Sequence, residues 1–199
     1  MAQTVDPRHF RELAGLDPAG VCRRALCVWD QTNQSYLLTV WGDDYAIEPG
    51  KGQIKPTGGR ERPVHEYLSL FMVHYLLGAR QTAPAGEWIS EKDLPGGTTF
   101  FRGPHAIPTH LISRRFANDL PAFGRQCREL HGSQLDMADL AFRFWIAPRI
   151  PVAVLFFEGD EDFPPEARLL YDKTISAHLA PDIVFALAWA VCTRIAGKW

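Results

Sequence analysis

The run Ile150–Phe157 carries no polar alternation, and it breaks abruptly into the carboxylate-rich turn Glu158-Gly159-Asp160-Glu161-Asp162. A strand with one wet face alternates apolar and polar residues, so this one belongs in the middle of a sheet, covered on both faces. The rest of the chain must therefore supply neighbouring strands and helices to cover them. Alternating Phe142, Phe144 and Ile146 predict a strand that turns at Ala147-Pro148-Arg149 into the central one, and residues 167–171 predict another beyond it. Near the beginning, the strand-like runs 25–29 and 35–41 flank Asp30-Gln31-Thr32-Asn33, the pattern of a hairpin, with a third strand at 44–47.

Helical periodicity covers 6–16, 64–77, 121–130 and 182–196, with Pro63 suited to the first turn of the second and Pro181 opening the last. Ser90 with Asp93 forms a capping box for a one-turn helix, and Thr109 caps a helix running to about Phe116. Prolines and glycine exclude helix from the segment 100–108. These elements predict one α+β domain over residues 1–199. Its mainly antiparallel sheet, built from the early hairpin and the strands at 140–172, packs against the helices at 64–77 and 182–196.

With 199 residues, 46% of them hydrophobic, the chain can bury one substantial core. A net charge of -2 gives no basic field for nucleic acid or an anionic membrane. The longest apolar stretch, 183–192, is half the roughly 20 residues that span a bilayer, and residues 1–20 show no secretory pattern. The expectation is a soluble, cytoplasmic protein. Cysteines at 22, 27, 127 and 192 form no CxxC pair, which argues against a zinc or iron-sulfur site built from them alone. Sixteen arginines against five lysines suit an anionic ligand, since guanidinium groups grip carboxylates and phosphates in a bidentate way.

Most familiar catalytic signatures fail on a specific residue. The basic loop 49–63, with Lys51, Lys55, Arg60, Arg62 and Gly58-Gly59, lacks the Gly-Lys-Ser/Thr ending of a phosphate loop. A zinc helix beginning at His65-Glu66 would need histidine where Ser69 stands. The acidic turn fails the calcium-loop pattern at Pro165 and Tyr171. No Gly-x-Ser-x-Gly or Gly-x-Gly-x-x-Gly occurs.

What remains is a set of single residues. His74 shares an apolar helix side with Tyr67, Leu70 and Phe71, which suits either a core histidine or a ligand pointing into protein. The rigid loop with Arg102, His105 and His110 can present guanidinium and imidazole to an anion, and Trp88 and Phe101 supply apolar walls. Asp160 and Glu161 offer oxygen ligands to a cation, or simply solvate a turn.

Several segments in order, among them His74-Tyr75-Leu76-Leu77, Gly86-Glu87-Trp88-Ile89-Ser90, Leu94-Pro95-Gly96-Gly97, the stretch 100–105, Asp136-Met137, Pro148-Arg149-Ile150-Pro151 and the acidic turn, resemble a family of anaerobic bacteria and archaea described as domain of unknown function 3786. The resemblance spans about 35–196. Some relatives look like fusions to a four-cysteine iron-sulfur module of corrinoid proteins. The resemblance therefore implies a context of anaerobic redox or tetrapyrrole metabolism, with corrinoid or haem as cofactor and an iron-sulfur or corrinoid protein as partner.

The leading expectation is a non-catalytic accessory protein that binds a small molecule or macrocycle through His74, Trp88, Phe101, Arg102 and His105. The alternatives are a metal-dependent, hydrolase-like enzyme joining His74 and His105 to Asp160 or Glu161, and a protein-interaction subunit. The first two require the helix imidazole, the proline loop and the strand-exit carboxylates to share one enclosed space.

Overall fold

A computed structural model describes residues 5–58 and 63–198. Gly59, Arg60 and Arg62 of the basic loop lie outside the described residues. Two short helices come first. In α1 (Pro7–Ala14) Asp6 caps the Arg8 N–H and Phe10 and Leu13 are buried; in α2 (Pro18–Ala25) Asp17 accepts from the Ala19 and Gly20 amides. α2 replaces the start of the expected first strand, which shrinks to β1 (Val28–Asp30). An Asp N-cap followed by Pro at the first helical position commits these residues to a helix before the strand pattern can act.

The first sheet is a meander of β1, β2 (Ser35–Val40), β3 (Asp43–Glu48) and β4 (Gln53–Pro56), paired in that order. β4 falls in what the sequence pattern marks as irregular loop. Its Lys55, together with Lys51, closes on the buried Glu48 carboxylate at 3.3 and 3.2 Å. Burial alone would raise the Glu48 pKa, but the two ammonium groups outweigh it and hold the carboxyl below its ordinary value. β2 and β3 join through Trp41-Gly42, both at positive φ (53° and 78°), the geometry of the tightest hairpins. The indole Nε1 donates to the Leu130 carbonyl at 2.9 Å, and the Trp41 amide donates to Ile146 O at 3.0 Å.

That last bond reaches a second sheet. The expected single sheet is thus two: five antiparallel strands, in the order β5 (Trp88–Ile89), β9 (Glu166–Asp172), β8 (Ile150–Phe157), β7 (Leu140–Ala147) and β6 (Ser133–Leu135), form the other. β8 lies at its centre, as its composition requires. Val152, Val154 and Phe156 face the main core, while Ala153 and Leu155 join Ala141 in a smaller cluster on the other face, with Trp88, Leu135, Met137, Phe157 and Leu170 partly covering it.

The main core is closed by α3 (Glu66–Gly78) and α8 (Pro181–Ile195), which pack on each other. α3 begins at Glu66 with His65 at its N-cap, later than Pro63 suggested. It is buried almost all round, at Leu68, Phe71, Met72, Val73, Tyr75 and Leu76, so the half-buried line is Tyr67, Leu70 and His74. Between β5 and β6 in the chain come a capping-box turn at Glu91–Asp93, the one-turn helix α4 (Gly97–Phe100), a 3-10 turn at Gly103–His105, then α5 (His110–Phe116) and α6 (Leu120–Glu129). The segment 100–108 thus contains helical turns after all: the prolines and glycines punctuate it into single turns instead of forbidding them. α7 (Ile175–His178) is one more such turn, directly before α8. No helix among the described residues is long and apolar enough to cross a membrane.

Candidate functional site

The sequence-selected residues are distributed over different parts of this architecture. Trp88 belongs to the outer cluster of the five-stranded sheet, whereas Phe101 is buried in the main core. Arg102 and His105 are exposed, with the His105 ring stacked on Phe100 at 4.6 Å and edge-on to Phe185 of α8 at 5.5 Å. His110 is exposed at the start of α5. Asp160 is committed to its own turn, where Oδ1 accepts from the amides of Asp162 and Phe163 at 2.9 and 2.8 Å. Glu161 is exposed beside it. Gly159 of the same turn exchanges two hydrogen bonds with the Asn118 side chain, between α5 and α6. Among the described residues no group of three or more His, Cys, Asp or Glu is placed to hold a metal ion, so the joint site of His74, His105 and Asp160 or Glu161 does not assemble there.

His74 has different neighbours. It lines a cleft of about 290 Å³ with His9, Glu12, Leu77, Gly78, His178, Leu179, Ala180 and Ile183, and Trp88, Phe101, Arg102 and His105 are not among its walls. The His9 and His74 rings stand 4.4 Å apart, and His9 Nδ1 is 3.9 Å from a Glu12 carboxylate oxygen. Burial, reinforced by the neighbouring His9, holds His74 below the ordinary histidine pKa, although Asp182 and Glu12 pull the other way.

A second cleft of about 320 Å³ opens on the other side of residues 178–180, where Arg80, Ser176, Leu94, Pro95 and Val184 join Gly78 and His178 in its wall. The two lobes meet at the end of α3 and the start of α8. Gly78 is required there, because a Cβ would stand 2.6 Å from the His178 carbonyl oxygen. His178, only 3% exposed, is the shared element. Its Nδ1 accepts the Arg80 amide at 3.2 Å, which places the proton of the neutral ring on Nε2. That Nε2 is buried and has no hydrogen-bond partner among the described residues. Burial, then the Arg149 charge, keep the ring's pKa below the ordinary value, so the neutral form prevails near pH 7.

Asp172 holds the segment that carries His178. Oδ1 accepts from the amides of Ala85 and Thr174 and from the Thr174 hydroxyl, at 3.0, 3.0 and 2.7 Å. Oδ2 accepts from the Gly86 amide at 2.7 Å. α8 begins at Pro181, after an N-cap residue, Ala180, that offers no side-chain oxygen; the Ile183 and Val184 amides turn back to the Ala180 carbonyl, each at 3.0 Å, and the acidic Asp182 stands in the first turn.

Sequence reasoning reached His74 but neither His9 nor His178. A histidine three residues before a proline-opened helix, following an aspartate at the end of a strand, was the available signal.

The architecture and the cleft define an α+β domain with a small depression of mixed polar and apolar walls between the ends of two core helices. Residues 17–194 match the model of the family described as domain of unknown function DUF3786, and the chain belongs to that family. The match starts earlier than the resemblance read from the sequence, taking in α2 and β1. No curated protein and no solved structure matches the chain.

Proposed function

We propose that this protein is a binding protein that holds a small anion, of the carboxylate or phosphate class, in the Arg80 lobe of the cleft. The observation that carries the reading is His178: a 97% buried imidazole whose Nε2–H lacks a partner. A buried donor left unpaired costs on the order of 1–3 kcal/mol, and an acceptor that reached Nε2 from the cleft would recover that cost. Arg80 is the charged residue in the wall of this lobe, and Ser176 adds a hydroxyl. Leu94, Pro95 and Val184 suit a short apolar body on the ligand.

A cleft of about 320 Å³ lies at the low end of ligand sites, roughly 300–1,000 Å³, which favours a small ligand over a corrinoid or haem. The test is calorimetric titration with inorganic phosphate and with succinate, on the wild type and on Arg80→Ala and His178→Gln. Saturable binding to at least one anion, weakened at least tenfold in both variants, is expected. Absence of binding to the wild type, or equal binding to all three proteins, would overturn the reading.

A further inference from the structure

Cys22 and Cys27 stand outside the cleft, and their thiols lie 3.6 Å apart. The contact is built by the way α2 ends. Leu26 adopts the left-handed conformation (φ 54°) in spite of its side chain, and the amides of Leu26 and Cys27 both turn back to the Cys22 carbonyl. In this type of helix ending, the side chain three residues before the left-handed position's preceding cap meets the one just after it, usually as an apolar contact. Here both positions are cysteine, and both are half-buried rather than sealed. A leucine held at positive φ costs about 1–2 kcal/mol and persists where the surroundings determine it. Its surroundings are firm: the Ala25 carbonyl accepts from Tyr75 Oη at 2.9 Å and the Arg24 carbonyl from Arg149 Nε at 2.7 Å. The other two cysteines, Cys127 and Cys192, are fully buried and serve as internal controls.

We infer that Cys22 and Cys27 form a reversible dithiol-disulfide site that exchanges with low-molecular-weight disulfides. One thiolate attacks the small disulfide RSSR, forming a mixed disulfide and releasing RS⁻, which takes up a proton. The second cysteine, deprotonated, then attacks the protein sulfur of that mixed disulfide and expels a second RS⁻. The balance is protein dithiol plus RSSR giving protein disulfide plus two RSH, so the protein is oxidised by two electrons and the small disulfide is reduced by two. Closing the sulfurs to the bonded distance of about 2.05 Å requires side-chain adjustment across a turn that the backbone already holds closed. Burial and the neighbouring Cys22 thiol raise the pKa of Cys27, so the exchange accelerates with rising pH.

Incubation of the full chain with glutathione disulfide tests this directly. Free thiols should fall from four to two with no glutathione retained. After blocking and trypsin digestion, the peptides 12–23 and 25–51, which trypsin separates at Arg23 and Arg24, should appear as one disulfide-linked species. Reduction should restore four thiols. Cys22→Ser and Cys27→Ser should each stop at an unreacted thiol or a stable glutathione adduct. Four thiols persisting at every glutathione disulfide concentration, or glutathione adducts on both cysteines of the wild type without the linked peptides, would overturn the inference. The wild-type peptide map decides the matter even if a serine variant fails to fold.

Discussion

Replacing Asp172 by Asn isolates the part of the structure that positions His178. The carboxylate is 2% exposed and accepts four hydrogen bonds: three on Oδ1, from the Ala85 and Thr174 amides and the Thr174 hydroxyl, and one on Oδ2, from the Gly86 amide at 2.7 Å. An asparagine that keeps its oxygen at the Oδ1 position turns an NH₂ group towards the Gly86 N–H, donor against donor. One charge-assisted bond, about 1.5–3 kcal/mol, is lost outright, and three others weaken from charged to neutral acceptors by roughly half a kcal/mol each. The sum is a loss of about 3–4.5 kcal/mol.

Urea unfolding followed by tryptophan fluorescence at pH 7 should therefore show a midpoint lowered by about 1 M at an unchanged slope. The pH dependence adds a second arm. Burial pushes the Asp172 pKa up, but the four bonds outweigh it and hold the folded pKa below the ordinary carboxyl value. A depressed acid stabilises the fold above its unfolded pKa of about 3.9, and that contribution is lost as pH falls through the folded value. The gap between wild type and Asp172→Asn should thus narrow below about pH 4. A loss under 1 kcal/mol at pH 7, or a gap that stays constant into acid, would refute the reasoning.

Other perturbations probe neighbouring features. Gly78→Ala brings a Cβ to 2.6 Å from the His178 carbonyl, so it should destabilise by about 1–2 kcal/mol in urea unfolding, even after the better helix propensity of alanine is credited, and should weaken phosphate binding in calorimetry. His74, whose pKa is depressed by burial, stabilises the fold fully above the unfolded histidine value of about 6.5 and loses that contribution as pH drops through its folded pKa. An NMR titration should place His74 below the reference value, and His74→Gln should flatten the fall in stability as pH drops below about 6.5. Leu26→Gly removes a leucine that is 53% exposed from positive φ, and thermal unfolding should show a gain of roughly 0.5–1 kcal/mol.

The elements legible in the sequence are those whose patterns are not shared with another structure. β8 was readable because unbroken apolar character over a strand length has one good home, and α3 and α8 because apolar runs of helical length flanked by proline admit little else. The Trp41-Gly42 turn was not readable: a large aromatic residue at positive φ is disfavoured locally and is held there by its bonds to Leu130 and Ile146, both far away in sequence. α2 was hidden by the strand-like run overlapping its end, though Asp17-Pro18 carried the capping signal. Of the site, only His74 could be suspected, as a polar residue on an apolar helix. His9 reaches it from α1 and His178 from a one-turn helix fixed by Asp172, and neither approach leaves a mark in local sequence.

The cleft lies between two helix ends of opposite polarity, and the balance between them sets what it attracts. The C-terminus of α3 presents carbonyls with no intrahelical partners, and a ligand anion there would be repelled. Arg24 of α2 cancels much of that field: its guanidinium donates to Leu77 O at 3.2 Å and Ala79 O at 2.8 Å. Arg149 donates to the Arg24 and Thr82 carbonyls, at 2.7 and 3.1 Å, and so fixes the position of Arg24 and the chain leaving α3. With the negative end capped from outside the cleft, Arg80 remains as the charged side chain in the wall of its lobe. On the proposed anion-binding reading, selectivity depends on residues that never touch the ligand: Arg24→Gln leaves the cleft its walls, yet calorimetric titration with phosphate should show weakened binding.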